Sequence, residues 1–248
     1  MAPDVVPGLL PSLWLVAPIL LIVFAGAIVQ FGLGLGFGLV AAPLLALLDP
    51  GFVPVPTLLI GLATSSLAAW RERSAIVWPE VWTGTAGRAV GVALAALLLV
   101  RLPDRETFGL VFGAMTGLAV ALSLAGLRLR FSRPRLVGTS LVSGIMGTIT
   151  SVGAPPMAMI YQDRPGAEAR PTLSAFFALG CVLSLTGLFW AGWFRLHDLA
   201  LAALMVPGML AGFAVSARLR GRFDRRYRPA LLTVSGLAAL MLIVRGLA

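Results

Sequence analysis

The sequence predicts an all-α polytopic membrane protein made of two inverted repeats. Three features support this fold class: 59% of the 248 residues are apolar, 12% are charged, and the mean hydropathy is +0.97. Soluble domains carry roughly 25% charged residues, whereas a helix of about 20 apolar residues crosses a hydrocarbon core of roughly 30 Å. Several stretches have this length and composition, so we expect one multi-pass transmembrane domain over residues 1–248.

Apolar segments account for nearly the whole chain, and short charged loops separate them. The segments lie at about 12–31, 32–49, 52–70, 78–100, 105–127, 136–162, 171–194, 196–217 and 229–247. The N-terminus has no basic region ahead of its first apolar stretch, so we expect no cleaved signal peptide. We also expect no soluble domain beside the membrane segments.

The basic residues decide the predicted orientation. All nineteen are arginines, the net charge is +9, and most of them lie in loops. Because cationic loops of membrane proteins face the cytoplasm, this pattern favours the cytoplasmic membrane and argues against nucleic acid as a partner. The loops "RLRFSRPR" (128–135) and "RLRGRFDRRYR" (218–228) fall on the same side only if 136–162 enters and returns as a hairpin. With a second hairpin over 12–49, fourteen arginines lie inside and four outside.

The two halves of the chain are organised alike. Residues 12–127 and residues 136–247 each contain a broken segment followed by three long ones. Two pairs of stretches correspond: "LGLGFGLVAAPLL" (33–45) with "TITSVGAPPMAMI" (148–160), and "GRAVG" (87–91) with "GMLAG" (208–212). The first half begins outside and the second inside, so the repeats are inverted. Inverted repeats with interrupted helices recur in transporters, whose binding sites lie near the midplane.

The segment 136–162 is interrupted at its centre by "SVGAPP", which begins at Ser151. Tandem proline removes two backbone donors, and the 27 residues of the segment are too few for two full crossings, which need about 40. We therefore expect two half-helices that meet at mid-depth, surrounded by protein or water. Thr150 or Ser151 can cap the second half-helix, and Pro155 and Pro156 fit its first turn. Such a helix start attracts anions.

The glycine-rich break with a downstream proline in each half, "GLGFGLVAAP" (34–43) and "SVGAPP" (151–156), resembles the sulfite exporter TauE/SafE family. The paired four-segment halves are similar to that family as well, and the resemblance spans nearly the whole chain. It implies a carrier that moves sulfite, sulfoacetate, related sulfonates or other organic anions across the cytoplasmic membrane. The second motif of the family often reads Gly-x-Gly-Gly-Pro-Pro, and here Ser151 replaces the first glycine and Ala154 the third.

Arg88 is the sharpest indication of an anion site. It lies about ten residues, or roughly 15 Å, into the segment that starts near Trp78. An arginine at this depth is costly and usually faces a cavity or a partner, so we expect it to bind or guide the anion. Two structural alternatives stay open: Arg88 caps backbone carbonyls of a broken helix, or it pairs with Glu80 two turns earlier.

The other candidate substrate-binding residues are glycines, hydroxyls and prolines at the breaks or deep in a segment. They are Gly34, Gly36, Gly38, Thr64, Ser65, Thr150, Ser151, Gly153, Pro155 and Pro156. Glycine lets the backbone approach a ligand, although small residues also serve close helix packing, and helical hydroxyls often bond their own helix. Gln30, just before the first break, is a further candidate.

These features favour a secondary anion transporter, and we expect export. The alternatives are a non-transporting membrane scaffold and a proton-coupled anion importer. We expect no enzyme, because the charged loops carry no catalytic constellation, and no metal or other cofactor, because the chain has one cysteine and one histidine. All ten acidic residues lie in loops or near segment ends, whereas proton-coupled carriers usually hold a carboxylate or histidine at depth. We therefore predict export driven by the membrane potential; whether the chain forms a homodimer is open.

Overall fold

The structure, a computed structural model, describes residues 13–102, 105–125, 127–218 and 240. The α-helices in these ranges are α1 (Leu13–Leu33), α2 (Phe37–Leu48), α3 (Val55–Arg71), α4 (Trp78–Val100), α5 (Arg105–Leu124), α6 (Arg133–Thr150), α7 (Ala154–Tyr161), α8 (Gly166–Trp190) and α9 (Leu196–Arg218). Among them α1, α4, α8 and α9 are long and apolar enough to cross a membrane. The all-α multi-pass fold predicted from the sequence is confirmed.

The first apolar region forms a helical hairpin of α1 and α2. The chain leaves α1 through Gly34 and Gly36, whose φ values of 74° and 116° lie in the left-handed region that favours glycine. α2 then runs back along α1, since a Cβ on Gly26 would lie only 3.4 Å from the Cβ of Ala41. The glycine-rich stretch therefore makes the first hairpin, as predicted.

The second broken region forms a hairpin of α6 and α7. The N–H of Leu129, ahead of α6, donates to the Met159 carbonyl near the end of α7 at 2.9 Å. Nearer the tip, the Ser143 hydroxyl donates to the Gly153 carbonyl at 2.6 Å. α7 therefore returns to the end of the molecule where α6 began, as the charge of the flanking loops predicts.

The two arms of this second hairpin differ in length. α6 has 18 residues and α7 has 8, which correspond to about 27 Å and 12 Å. The prediction of two half-helices is therefore wrong for α6. The Ser132 hydroxyl accepts a hydrogen bond from the Arg135 N–H and so caps the helix within the charged loop, and α6 then continues unbroken to Thr150.

Matching pairs of glycines join the two halves. Gly87 and Gly91 of α4 lie against the backbone of α6, and a Cβ on Gly87 would be 2.5 Å from an α6 carbonyl oxygen. Gly208 and Gly212 of α9 lie against α1, where a Cβ on Gly208 would be 2.6 Å from a carbonyl oxygen. Glycines at four-residue spacing permit such close contact. Each half thus docks a glycine-bearing helix on the first helix of the other half.

Arginine-bearing loops meet at one end of the molecule. Arg128 pairs with Asp163 at 3.3 Å, and Arg170 pairs with Glu72 at 3.4 Å. At the other end, the Trp193 indole, between α8 and α9, donates to a carbonyl at the end of α4 at 3.3 Å. The described loops that are predicted to be cytoplasmic therefore share one face.

The repeat boundaries stay a prediction. α1 to α5 follow the predicted order of the first half, and α6 to α9 follow that of the second half up to its last segment. The segment predicted at 229–247 and the arginine-rich loop beyond Arg218 lie outside the described residues. The full inverted relation between residues 12–127 and 136–247 is therefore untested.

Candidate functional site

The tips of the two hairpins touch inside the helix bundle. Gly38, at the start of α2, lies so close to the Ser151 carbonyl oxygen that a Cβ there would collide with it. Ser151 ends α6 with φ 61° and ψ 9°, a left-handed conformation uncommon outside glycine. Its hydroxyl donates to the Pro54 carbonyl at 3.1 Å. When the sequences of the two breaks are aligned, Ser151 corresponds to Gly36. Both turns therefore use a residue in the left-handed conformation at the same place.

A cavity of about 40 Å³ lies beside these tips, and we call it the tip cavity. Roughly 10–15 Å³ is enough to hold one water molecule, so the tip cavity accommodates a small ion. Both halves of the chain supply its walls. The lining residues are Gln30, Gly36, Phe37, Gly38, Leu39, Thr57, Leu58, Gly61, Ser65, Arg88, Ser151, Gly153, Ala154, Phe177 and Cys181.

Arg88 is the charged residue of this lining. It is only 2% exposed and lies in the middle of α4. Its Nη1 donates to the Ser143 hydroxyl at 3.0 Å, whereas its Nε has no hydrogen-bond partner in the part of the chain that the structure describes. The ion pairs between described residues do not include Arg88. A buried charge without a counter-ion is costly, and an anion in the tip cavity would offset that cost.

Glycines surround the Arg88 guanidinium on several sides. A Cβ on Gly147 would lie 2.9 Å from Nη2, and one on Gly153 would lie 3.1 Å from Nη1. A Cβ on Gly180 would collide with Nε, and one on Gly144 would lie 3.2 Å from Cγ. Side chains at these positions would push the arginine away. Glycines of α6, α8 and the turn before α7 therefore leave room for one guanidinium. We call Gly144, Gly147, Gly153 and Gly180 the glycine cradle.

Two further contacts fix the guanidinium. Its Cζ lies 5.3 Å from the ring centroid of Phe176 and 5.7 Å from that of Phe177, within the range of cation–π attraction. Ser143 accepts from Arg88 and donates to the Gly153 carbonyl. This serine thus connects the cation on α4 to the tip of the second hairpin.

The starts of α2 and α7 both reach the tip cavity, but they offer different donors. At α2, the Phe37 N–H donates to the Gln30 side chain at 3.3 Å, and the next N–H belongs to Gly38. In the first turn of α7, Pro155 and Pro156 have no N–H to offer. The helix dipole favours an anion at both starts, while the backbone donors of the first turn come mainly from α2.

Glu80 does not pair with Arg88. One carboxylate oxygen accepts from Arg164, and the other accepts from the Tyr161 hydroxyl at 2.7 Å. The predicted alternative, in which Arg88 pairs with Glu80, is therefore wrong. Glu80 lies about 12 Å along α4 from Arg88, beside the end of α7. The capping alternative is not what the structure shows either, since the hydrogen bond of Arg88 goes to the Ser143 hydroxyl and not to a carbonyl.

The structure brings six of the predicted site residues together and leaves five outside the lining. The six are Gly36, Gly38, Ser65, Arg88, Ser151 and Gly153. The five are Gly34, Thr64, Thr150, Pro155 and Pro156. Gln30, the further candidate, also lines the tip cavity and donates to the Ser65 hydroxyl at 3.3 Å. Whether any of these residues binds substrate stays a prediction.

Three of the residues outside the lining serve the local structure. Gly34 packs against the backbone of α8, where a Cβ would lie 2.6 Å from a carbonyl oxygen. Thr64 donates to a carbonyl of its own helix at 2.9 Å. Thr150 does the same at 2.7 Å and accepts from the N–H two residues on. The predicted capping of α7 by Thr150 or Ser151 is therefore wrong: the residue ahead of α7 is Gly153, which has no side chain.

Sequence reasoning missed the groups that hold Arg88. They are Ser143, Gly144, Gly147, Phe176, Phe177 and Gly180. The small residues of α6 carry a usable signal, because their spacing of three and four forms a stripe that marks close contact with another helix. The sequence does not say that an arginine lies in that contact.

A family model matches most of the chain. It is the model of the sulfite exporter TauE/SafE family, and the match covers residues 19–242. The search of curated proteins and the search of solved structures gave no match.

Proposed function

Because the chain belongs to the sulfite exporter TauE/SafE family, and is therefore a membrane anion transporter and not an enzyme, we propose that it exports sulfur-containing or organic anions across the cytoplasmic membrane. Sulfite, sulfoacetate and other sulfonates are the candidate substrates. The anion binds in the tip cavity, between the Arg88 guanidinium and the starts of α2 and α7. Transport is secondary and needs no cofactor.

The observation that carries this proposal is the buried charge of Arg88, which has no counter-ion among the described residues. Opposite unit charges 4 Å apart attract by about 4 kcal/mol at an effective dielectric constant of 20, and each helix start adds roughly 0.3–1 kcal/mol for an anion. A non-transporting scaffold has no use for this arrangement. An apolar residue of similar size would fill the space without the desolvation penalty.

The membrane potential drives export in this proposal. The tip cavity has no Asp, Glu or His among its described lining residues, and Glu80 is engaged with Tyr161 and Arg164. An anion that leaves a negative cytoplasm gains about 2.3 kcal/mol per charge per 100 mV. Such a substrate needs no proton-binding group in the site, which the proton-coupled importer would need.

Efflux from proteoliposomes tests the proposal. The vesicles are loaded with sulfite or a sulfonate, and the potential is clamped with potassium and valinomycin. We expect efflux that rises with an inside-negative potential and falls by about tenfold or more in Arg88→Gln, which removes a charged hydrogen-bonding group. The control Arg130→Gln changes an exposed arginine and should transport like the parent chain.

Two results would favour the alternatives. No flux of any sulfur oxyanion, sulfonate or carboxylate, from correctly folded protein, would favour the membrane scaffold. Flux that ignores the potential, follows an imposed pH gradient and disappears in Glu80→Gln would favour the proton-coupled importer.

A further inference from the structure

Aromatic rings cover one side of the Arg88 guanidinium. They belong to Phe176 and Phe177 of α8. Phe176 also contacts α4 one turn before Arg88, since a Cβ on Gly84 would lie 3.1 Å from its ring. Both rings belong to an apolar cluster that includes Tyr161 at the end of α7. Apolar side chains of α7 and α8 therefore fill the space beside Arg88 on the side of the arginine-bearing loops.

A polar cluster lies beyond these rings, nearer the arginine-bearing loops. Glu80, two turns before Arg88 on α4, accepts from the Tyr161 hydroxyl at 2.7 Å and from Arg164, just after α7. We call Glu80, Tyr161 and Arg164 the latch. Glu80 belongs to the first half of the chain, and its two partners belong to the second half. The latch therefore holds the end of α7 against the start of α4.

Arg164 lies between two carboxylates. Its Nη2 contacts Glu80, while its Nη1 is 3.8 Å from Glu168, four residues further along the chain. The side chains of Glu80, Arg164 and Glu168 are 15%, 31% and 53% exposed, so water reaches this cluster. Ion pairs that water reaches are weak. The contact between Arg164 and Glu80 can therefore break at small cost, because Arg164 keeps Glu168 as a partner.

We propose that the latch is the gate on the cytoplasmic side of the anion site. While Arg164 contacts Glu80, α7 stays against α4 and the rings separate Arg88 from the arginine-bearing face. When Arg164 turns to Glu168, the end of α7 leaves α4 and opens a path to that face, as alternating access requires. α7 is the shortest of the described α-helices, at 8 residues. This inference rests on the proposed transport function and adds the residues that control access to the site.

Labelling of a cysteine in the tip cavity tests the gate. Cys181, the single cysteine of the chain, lines this cavity. Full-length protein in inside-out membrane vesicles is treated with sulfonatoethyl methanethiosulfonate, an anionic thiol reagent that does not cross membranes. Tyr161→Phe combined with Arg164→Gln removes both partners of Glu80, and we expect Cys181 to be labelled about tenfold faster. Labelling in right-side-out vesicles should not change.

A charge-matched control uses another arginine at the same end of the molecule. Arg128 pairs with Asp163 at 3.3 Å, outside the latch. Arg128→Gln removes one positive charge, as Arg164→Gln does, and should leave the labelling rate of Cys181 at that of the parent chain. If the double variant does not fold, Tyr161→Phe alone keeps the ring and should accelerate labelling about threefold.

An exchange of charges separates a latch from a packing role. Arg164→Glu places two carboxylates together and should accelerate the labelling of Cys181 by about tenfold or more. Adding Glu80→Arg restores an ion pair with the signs exchanged and should return the rate toward that of the parent chain. Labelling that stays fast in the exchanged pair would contradict the latch.

The outcomes separate this inference from the proposed export. Equal labelling rates in the parent chain and the double variant, or acceleration from the outer face only, would overturn the gate whether or not the protein transports. Faster labelling from the cytoplasmic face, without flux of any sulfur oxyanion, sulfonate or carboxylate, would support the gate and remove the proposed export.

Discussion

The stretches "GRAVG" of α4 and "GMLAG" of α9 dock their helices in the same way but carry different residues between the glycines. In each, the two glycines lie against the backbone of the first helix of the other half. The residue after the first glycine is Arg88 in α4 and Met209 in α9, and the two are 2% and 5% exposed. We call each of these glycine contacts between two helices a joint. The α4 joint thus buries a cation, whereas the α9 joint buries a thioether.

The surroundings of Arg88 and Met209 differ in polarity, as the two side chains do. Met209 packs in an apolar cluster with Ile19, Val23 and Phe37, whereas Arg88 packs against the glycine cradle and the Ser143 hydroxyl. Both joints need glycine for close helix contact, but only the joint of α4 holds a charge. The comparison separates what folding requires from what the proposed anion site adds.

Moving the charge to the apolar joint should have the largest effect. Met209→Arg would bury a guanidinium among apolar side chains, with no partner among its described neighbours, and we expect the free energy of unfolding to fall by about 3–5 kcal/mol. Thermal unfolding in detergent measures this. Met209→Leu conserves volume and polarity and should cost less than about 1.5 kcal/mol. A stable Met209→Arg would show that water reaches the α9 joint. The surroundings of Arg88 and Met209 would then differ less in polarity than the two side chains do.

Making the α4 joint resemble the α9 joint should abolish the site and keep the fold. In Arg88→Met we expect sulfonate affinity to fall by about a hundredfold, as for loss of a buried charge partner, with stability unchanged or higher because the desolvation penalty is gone. Calorimetry and thermal unfolding on the same preparation separate the two effects. Full affinity in a folded Arg88→Met would place the anion elsewhere.

The glycine cradle can be broken without touching the arginine. Gly180→Ala would place a methyl on the Nε of Arg88, and overpacking of this kind costs about 1–3 kcal/mol, so we expect affinity to fall by about tenfold. Gly138→Ala is the control, because no atom of the described residues lies within 4 Å of a Cβ at that position on α6. In an Arg88→Met background Gly180→Ala should become harmless. An equal effect in both backgrounds would mean that Gly180 acts independently of Arg88.

The link through Ser143 should have the smallest effect. Ser143→Ala removes the acceptor of Arg88 and the donor to the Gly153 carbonyl, and we expect about a fivefold loss of sulfonate affinity, near 1 kcal/mol. Thr186→Ala removes a hydroxyl that bonds its own helix on an exposed face and should change nothing. Equal affinities for Ser143→Ala and the parent chain would limit Ser143 to packing.

Much of the candidate site could be predicted because its residues are poor choices for a plain membrane helix. Arg88 at mid-segment, the glycines of the first break and "SVGAPP" in the second each violate the ordinary composition of a span, and the structure places members of all three around one cavity. Gly144 and Gly180 could not be assigned in this way. A glycine in an apolar helix is ordinary, and only the packing partner shows what it makes room for.

The sequence by itself determined the membrane class, the two hairpin breaks and the sharing of one face by the described arginine-bearing loops, because composition, proline and charge act locally or through the bilayer. The tertiary structure decided which groups meet. It paired Glu80 with Arg164 instead of Arg88, it extended α6 beyond a half-helix, and it enclosed Arg88 in glycines from two helices and a turn. These outcomes depend on distances between segments far apart in the chain, and hydropathy and spacing carry no information about such distances.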